Sequence, residues 1–112
     1  MKKIEAIIRK SKFETVKDAL AKINVKFFTT QDVKGYGLQK GEKMVYRGSS
    51  YGTEYIERIQ MDIYTTEEKC DDIVKTILDS GATGEIGDGK ITVLPIEKIY
   101  RIRNAEENAK AI

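Results

Sequence analysis

Histidine and tryptophan are absent from the chain, and cysteine and proline occur once each, at Cys70 and Pro95. Without histidine, the commonest general base, zinc ligand and phosphate-transfer nucleophile is missing, which excludes triad hydrolases, histidine-zinc enzymes and histidine-relay proteins. A lone cysteine forms no internal disulfide, as expected in a reducing compartment. No apolar run approaches the roughly 18 residues that cross a bilayer. Charges also interrupt the N-terminal MKKIEAIIRK, where a signal peptide has a continuous apolar stretch. The expected location is cytoplasmic. An excess of one charge is lacking too: 20 Lys and Arg against 18 Asp and Glu give +2, too balanced to mark a nucleic-acid binder by net charge. The 112 residues suit one domain, small enough that assembly with further copies would cover useful apolar area.

Glycine is present, and its placement is informative. The nine glycines stand at 35, 37, 41, 48, 52, 81, 84, 87 and 89, in two segments of an otherwise glycine-free chain. Clusters of this kind point to two special loops on a regular scaffold. Alternating Ile4, Ala6 and Ile8 predict a first strand over residues 2–9. Ser11 with Glu14 forms a capping-box pattern, and Phe13, Val16, Leu20 and Ile23 recur at helical spacing to about Asn24. β-Forming residues over 26–37 predict a second strand, and Ile59, Met61 and Ile63 alternating with polar residues over 58–64 a third. Thr65 with Glu68 opens a second helix whose inner stripe is Cys70, Ile73, Val74, Ile77 and Leu78, with Gly81 at its C-terminal turn. Residues 91–96 give a fourth strand, and the alternation over 97–103 suggests a short added strand or a packing segment. The fold class expected is α+β, a ferredoxin-like βαββαβ sandwich in one domain over 1–112.

About eighteen residues, LQKGEKMVYRGSSYGTEY, separate strands two and three, where a hairpin uses roughly two to five. Their tyrosines, lysines and Arg47 suit an arm that docks through aromatic and arginine anchors. The second glycine segment ends in Gly87-Asp88-Gly89-Lys90. Glycines let successive N–H groups converge on an anion, and Lys90 adds a point charge. Asp-Gly is equally an ordinary turn pair, and the Gly-x4-Gly-Lys-Ser/Thr spacing of a P-loop is absent. Arg101 and Arg103, two apart on a presumed extended segment, would project from one face and suit polyphosphate.

The opening MKKIEAIIRKSKFETVKDAL, KGYGLQKG at 34–41, YRG at 46–48 followed by Tyr51, EIGDGK at 85–90 and the RIR run resemble the PII nitrogen-regulatory signalling proteins in order and spacing. The resemblance implies a homotrimer with a nucleotide site in each cleft between neighbours. It implies that Gly87, Asp88, Gly89 and Lys90 wrap the phosphates of ATP or ADP while Arg101 and Arg103 reach in from the adjacent subunit. Gly35, Tyr36, Gly37 and Ile7 would line the cleft, with Thr29, Asp62 and Tyr64 near adenine and ribose. Gln39, Lys40, Gly41 and Arg58 would hold 2-oxoglutarate, and Gln39 a magnesium ion shared with ATP. Residues 38–55 match the family's T-loop, 82–90 its phosphate loop and 98–112 its C-terminal segment. Tyr46, Arg47 and Tyr51 would dock partners, foremost an ammonium transporter, with nitrogen-metabolism enzymes as further candidates. Tyr51 is also a candidate for nucleotidyl transfer. The sequence departs from the family at Arg58, where a lysine is usual. Leu38 stands for an arginine, Lys10 for a proline, and Asn104-Ala105 for a Thr-Gly pair.

The expected activity is regulatory and nonenzymatic, since no paired carboxylates mark a cleft and no nucleophile has a base; slow ATP hydrolysis is the most it would do. Contact with a membrane is expected only through a transporter. The alternative is a ferredoxin-like RNA-binding module, which needs exposed aromatics on its sheet. Adjacent Phe27 and Phe28 face opposite ways, and the third strand has no aromatic-rich run.

Overall fold

The computed structural model describes residues 1–37 and 55–112. Four strands, β1 (Lys2–Arg9), β2 (Thr29–Tyr36), β3 (Tyr55–Thr65) and β4 (Gly89–Pro95), form one antiparallel sheet in the order β2-β3-β1-β4. Two helices, α1 (Phe13–Lys22) and α2 (Glu67–Gly81), cover one face. This is the ferredoxin-like α+β arrangement expected from the sequence.

The alternation in β1 and β3 decides which face is covered. Ile4, Ala6 and Ile8 point with Ile59, Met61 and Ile63 toward Val16 and Leu20 of α1 and Cys70, Ile73 and Ile77 of α2. Each isoleucine fully buried there contributes roughly 1.5–3 kcal/mol. On the opposite, open face β1 places Lys3, Glu5, Ile7 and Arg9 across from Tyr64, Asp62, Gln60 and Arg58 of β3. Glu5 and Asp62 are thus directly opposed like charges. The Gln60 amide donates to both, at 3.1 and 3.2 Å, and the Lys3 ammonium lies 3.7 and 3.9 Å from them, which offsets the repulsion.

Several boundaries differ from the sequence expectation for physical reasons. The Ser11–Glu14 capping box does not form: β1 runs straight into a 3-10 turn at Lys10–Lys12, so α1 starts at Phe13 with Lys12 at its N-cap and no side-chain cap. Thr65 is likewise taken up by β3, paired with Lys2, and leaves Thr66 to begin α2 without a side-chain cap. α1 ends in a Schellman motif, with Asn24 left-handed at φ 65° and hydrogen bonds from Val25 N–H to the Leu20 carbonyl (2.9 Å) and from Asn24 N–H to that of Ala21 (3.1 Å). β2 begins at Thr29, not Lys26, because Phe28 turns inward to meet Phe13 edge-on at 6.2 Å while Phe27 is 90% exposed. Gly81 does not make a left-handed turn. It is the buried last residue of α2, where a Cβ would lie 3.4 Å from Val16, so its smallness serves helix packing.

The segment after β4 adds no strand. It makes one isolated bridge, Tyr100 with Glu107, around a turn closed by the Ala105 N–H to Arg101 carbonyl bond at 2.8 Å. Among the described residues no helix is long and apolar enough to cross a membrane.

Candidate functional site

The loop from Ala82 to Asp88 joins α2 to β4 at the end of the sheet where β1 finishes. Its shape is set from below by one carboxylate. Asp88 accepts hydrogen bonds from the Thr83 N–H (2.8 Å), the Gly84 N–H (2.9 Å), the Thr83 hydroxyl (2.5 Å) and the Arg9 guanidinium (2.9 Å). These donors, led by the Thr83 hydroxyl and Arg9, hold its carboxyl well below the usual carboxylate range. Arg9 also donates to the Ile86 carbonyl at 2.9 Å, and Arg58 donates to the Gly87 carbonyl. Arg58 is only 8% exposed, and this burial, with Arg9 alongside, pushes its pKa down. Three consecutive residues, 86 to 88, are thereby tied to two arginines that face each other across β1 and β3.

One glycine is obligatory here, and a second makes room for an arginine. Gly89 sits at φ 97°, and a Cβ on it would lie 1.8 Å from the Ile7 carbonyl oxygen, so only glycine allows β4 to close onto β1 at this point. At the root of β2, a Cβ on Gly35 would meet Arg58 Nε at 2.8 Å. The missing methyl gives the guanidinium its place between β2 and the loop.

Lys90 follows the loop, exposed and opposite Ile7, with no carboxylate partner among the described residues. Gly35, Tyr36 and Gly37 lie at this same end, where Tyr36 pairs with Tyr55. Thr29, Asp62 and Tyr64 do not: Thr29 pairs with Asp62 toward the far end, and Tyr64 with Lys3. There a groove of about 730 Å³ is lined by residues including Phe27, Phe28, Thr29, Tyr64, Tyr100 and Ile112. Arg101 and Arg103 follow Tyr100 at this far end. They do not share one face of an extended strand. Residues 102–104 form a turn, Arg101 pairs with Glu106 at 3.0 Å, and Arg103 is exposed. The two sets of basic residues thus lie toward opposite ends of β1 within one chain.

Expectations on Gln39, Lys40, Gly41, Tyr46, Arg47 and Tyr51 fall outside the described residues. No cluster of three or more carboxylate, cysteine or histidine ligands gathers among those described. Arg9 and Thr83 were not anticipated. Arg9 continues the open-face set of Glu5 and Ile7 by parity, but only the pairing of β1 with β4 shows that this face ends against the glycine loop.

A model of the family "Nitrogen regulatory protein P-II" matches residues 1–106. The chain belongs to the P-II family. Relatives of that name include one from Pasteurella multocida, 41% identical over 112 residues and covering all of both chains. Another, P-II 1 of Escherichia coli K12, is 40% identical over the same length, again with full coverage of both. Among solved structures, Arabidopsis thaliana PII bound to citrate superposes with a TM-score of 0.81 at 32% identity, covering 99% of this chain and 91% of that one. P-II membership makes this a nitrogen-regulatory protein, and its relatives are named as regulators, not as enzymes. The open face of this P-II sheet also disfavours the RNA-binding alternative. Its one aromatic among the described strand residues is Tyr64 at one end, while Glu5 and Asp62 hold the middle, where stacked bases would bring phosphate charge.

Proposed function

We propose that the chain is a nonenzymatic sensor that binds ATP and ADP competitively at the glycine loop and reports to partner proteins through residues 38–55. One observation carries this reading: a loop folded by its own carboxylate and two arginines, beside Lys90, which has no carboxylate partner among the described residues, with the other basic pair following Tyr100 toward the opposite end of the sheet. Phosphate charge at one loop attracts both basic sets only if a second copy supplies Arg101 and Arg103. This favours the intersubunit cleft of a homotrimer.

In that cleft the backbone around Gly87 and Gly89 and the Lys90 ammonium take the phosphates, and Ile7 contacts the ligand from β1. Thr29, Asp62 and Tyr64, beside the aromatic groove, suit the nucleoside end. Magnesium would rest on Gln39 with ATP and oxo-acid oxygens, and would supply charge neutralisation between them. A citrate-bound relative supports a carboxylate effector, here 2-oxoglutarate near Gln39, Lys40, Gly41 and Arg58. Tyr46, Arg47 and Tyr51 then present the bound state to an ammonium transporter or a nitrogen-metabolism enzyme, to the extent that effectors differ in affinity for the arm's conformations.

Calorimetric titration with ATP, ADP and an oligoribonucleotide tests the nucleotide reading. Mutual competition of the two nucleotides and silence of the oligoribonucleotide are expected; the reverse result sinks it. Titration of 2-oxoglutarate with magnesium and ATP into wild type and Gln39→Ala tests the metal bridge, which is wrong if both bind equally. A transporter pull-down in which ADP and ATP with 2-oxoglutarate act identically removes the switching role.

A further inference from the structure

We propose that Arg9, together with Arg58, is a positioning residue that orients the backbone N–H groups of the glycine loop toward an incoming polyphosphate; the proposal rests on the nucleotide reading above. The geometry follows from peptide planarity. In a trans peptide the carbonyl of one residue and the N–H of the next point in opposite directions. Arg9 draws the Ile86 carbonyl toward β1 at 2.9 Å, so the Gly87 N–H is directed away from it. Arg58 draws the Gly87 carbonyl the same way, so the Asp88 N–H is also directed away. The hinge between the two carbonyls is Gly87, whose φ of 106° is backbone that residues with a side chain rarely adopt.

The result is a pair of successive N–H donors turned outward, a concavity of the kind that holds anions. Neither N–H has an acceptor among the described residues, whereas those of Thr83 and Gly84 are already committed to Asp88. The pattern divides the labour within the loop. Asp88 closes its first half on itself, and the arginines leave its second half open to a ligand.

Arg9 reaches its two acceptors through separate nitrogens of one rigid fork: Nε meets Asp88 and Nη2 meets Ile86. A guanidinium can therefore fix the tilt of the 86–87 peptide relative to Asp88, whereas the three donors of an ammonium turn about a single nitrogen and impose no such spacing. The arginine pair also carries net charge. Arg9 is paired with Asp88, while Arg58 has no carboxylate partner among the described residues and leaves a positive centre beneath the loop.

The test uses the full-length chain with ATP, ADP, AMP and adenosine as calorimetric ligands for wild type, Arg9→Met and Arg9→Lys. Loss of two charge-assisted contacts in Arg9→Met is expected to weaken ATP by about tenfold or more. The loss should shrink from ATP through ADP to AMP and vanish for adenosine. Arg9→Lys restores charge but not the planar fork that spaces the two contacts, and is expected to recover ATP affinity in part. An unchanged ratio of ATP to adenosine affinity in Arg9→Met overturns the proposal, as does full recovery in Arg9→Lys, which assigns the effect to charge alone. Should Arg9→Met fail to fold, Arg9→Lys decides by itself: a wild-type ratio overturns the proposal, a lowered one supports it. A wild-type chain that binds adenosine and ATP equally overturns the nucleotide-phosphate reading itself, a separate outcome.

Discussion

The two ends of the β1–β3 ladder are built on different principles. At the glycine-loop end, side chains fix the backbone: Asp88 has four donors, two arginines hold backbone carbonyls, and Gly89 leaves no room for a methyl group. At the other end, a groove of about 730 Å³ lies among exposed Phe27, Tyr64 and Tyr100, and the tail folds back on itself through backbone hydrogen bonds and one partly exposed ion pair. Phosphate groups are alike in shape and charge, so a rigid cradle suits them. Effects of substitution should follow the same divide.

The largest break is expected from Gly89→Ala. A methyl 1.8 Å from the Ile7 carbonyl on a residue at φ 97° cannot be absorbed by a side-chain shift, and the cost should reach about 3 kcal/mol or more in urea unfolding. A loss below about 1 kcal/mol would show that β4 can detach there without penalty.

Asp88→Asn comes next and sharpens the comparison through pH. The folded-state pKa of Asp88 is depressed, so its contribution is fully present above the unfolded value near 3.9 and disappears as pH falls through the folded value. Wild type should lose stability between about pH 4 and 2 more steeply than Asp88→Asn, and parallel curves would contradict the carboxylate's role.

At the far end, Arg101→Gln breaks a partly exposed pair with Glu106 and should change stability by less than about 1 kcal/mol. ATP affinity should nonetheless fall, and an unchanged affinity removes Arg101 from the site. Lys90→Met is expected to move stability least, within about 0.5 kcal/mol, while weakening ATP and ADP and leaving adenosine alone. Thermal unfolding alongside calorimetry separates the two effects in each variant.

How much of this was legible in the sequence follows the same divide between local and paired information. The strands β1 and β3 were readable because period-2 alternation states directly which side chains are buried, and so was most of each helical stripe: Val16 and Leu20 of α1 and Cys70, Ile73 and Ile77 of α2 are buried, while Ile23 and Leu78, expected on the stripes, are exposed at their edges. Both capping boxes failed since a strand on one side, or the turn at Lys10–Lys12, claimed the capping residue before the helix began. The tail's alternation misled in the same way. Positive φ at Ala105 and Asn108 turns the chain back where an extended strand would carry on. Gly87, Gly89 and Lys90 announced an anion loop by composition, but Arg9 is invisible without the register that sets Ile8 beside Gly89. Arg58 was noticed as a candidate effector ligand; its burial against Gly35 and its bond to Gly87 are properties of three segments meeting, which no spacing rule records.

The distance between the glycine loop and Arg101 has a consequence in mass action. A binding site whose halves belong to two copies is complete only as often as those copies are associated. Dilution below the assembly constant should then lower nucleotide affinity, and saturating nucleotide should stabilise the assembly by the same coupling, roughly RT ln(1 + [L]/Kd) for each site filled.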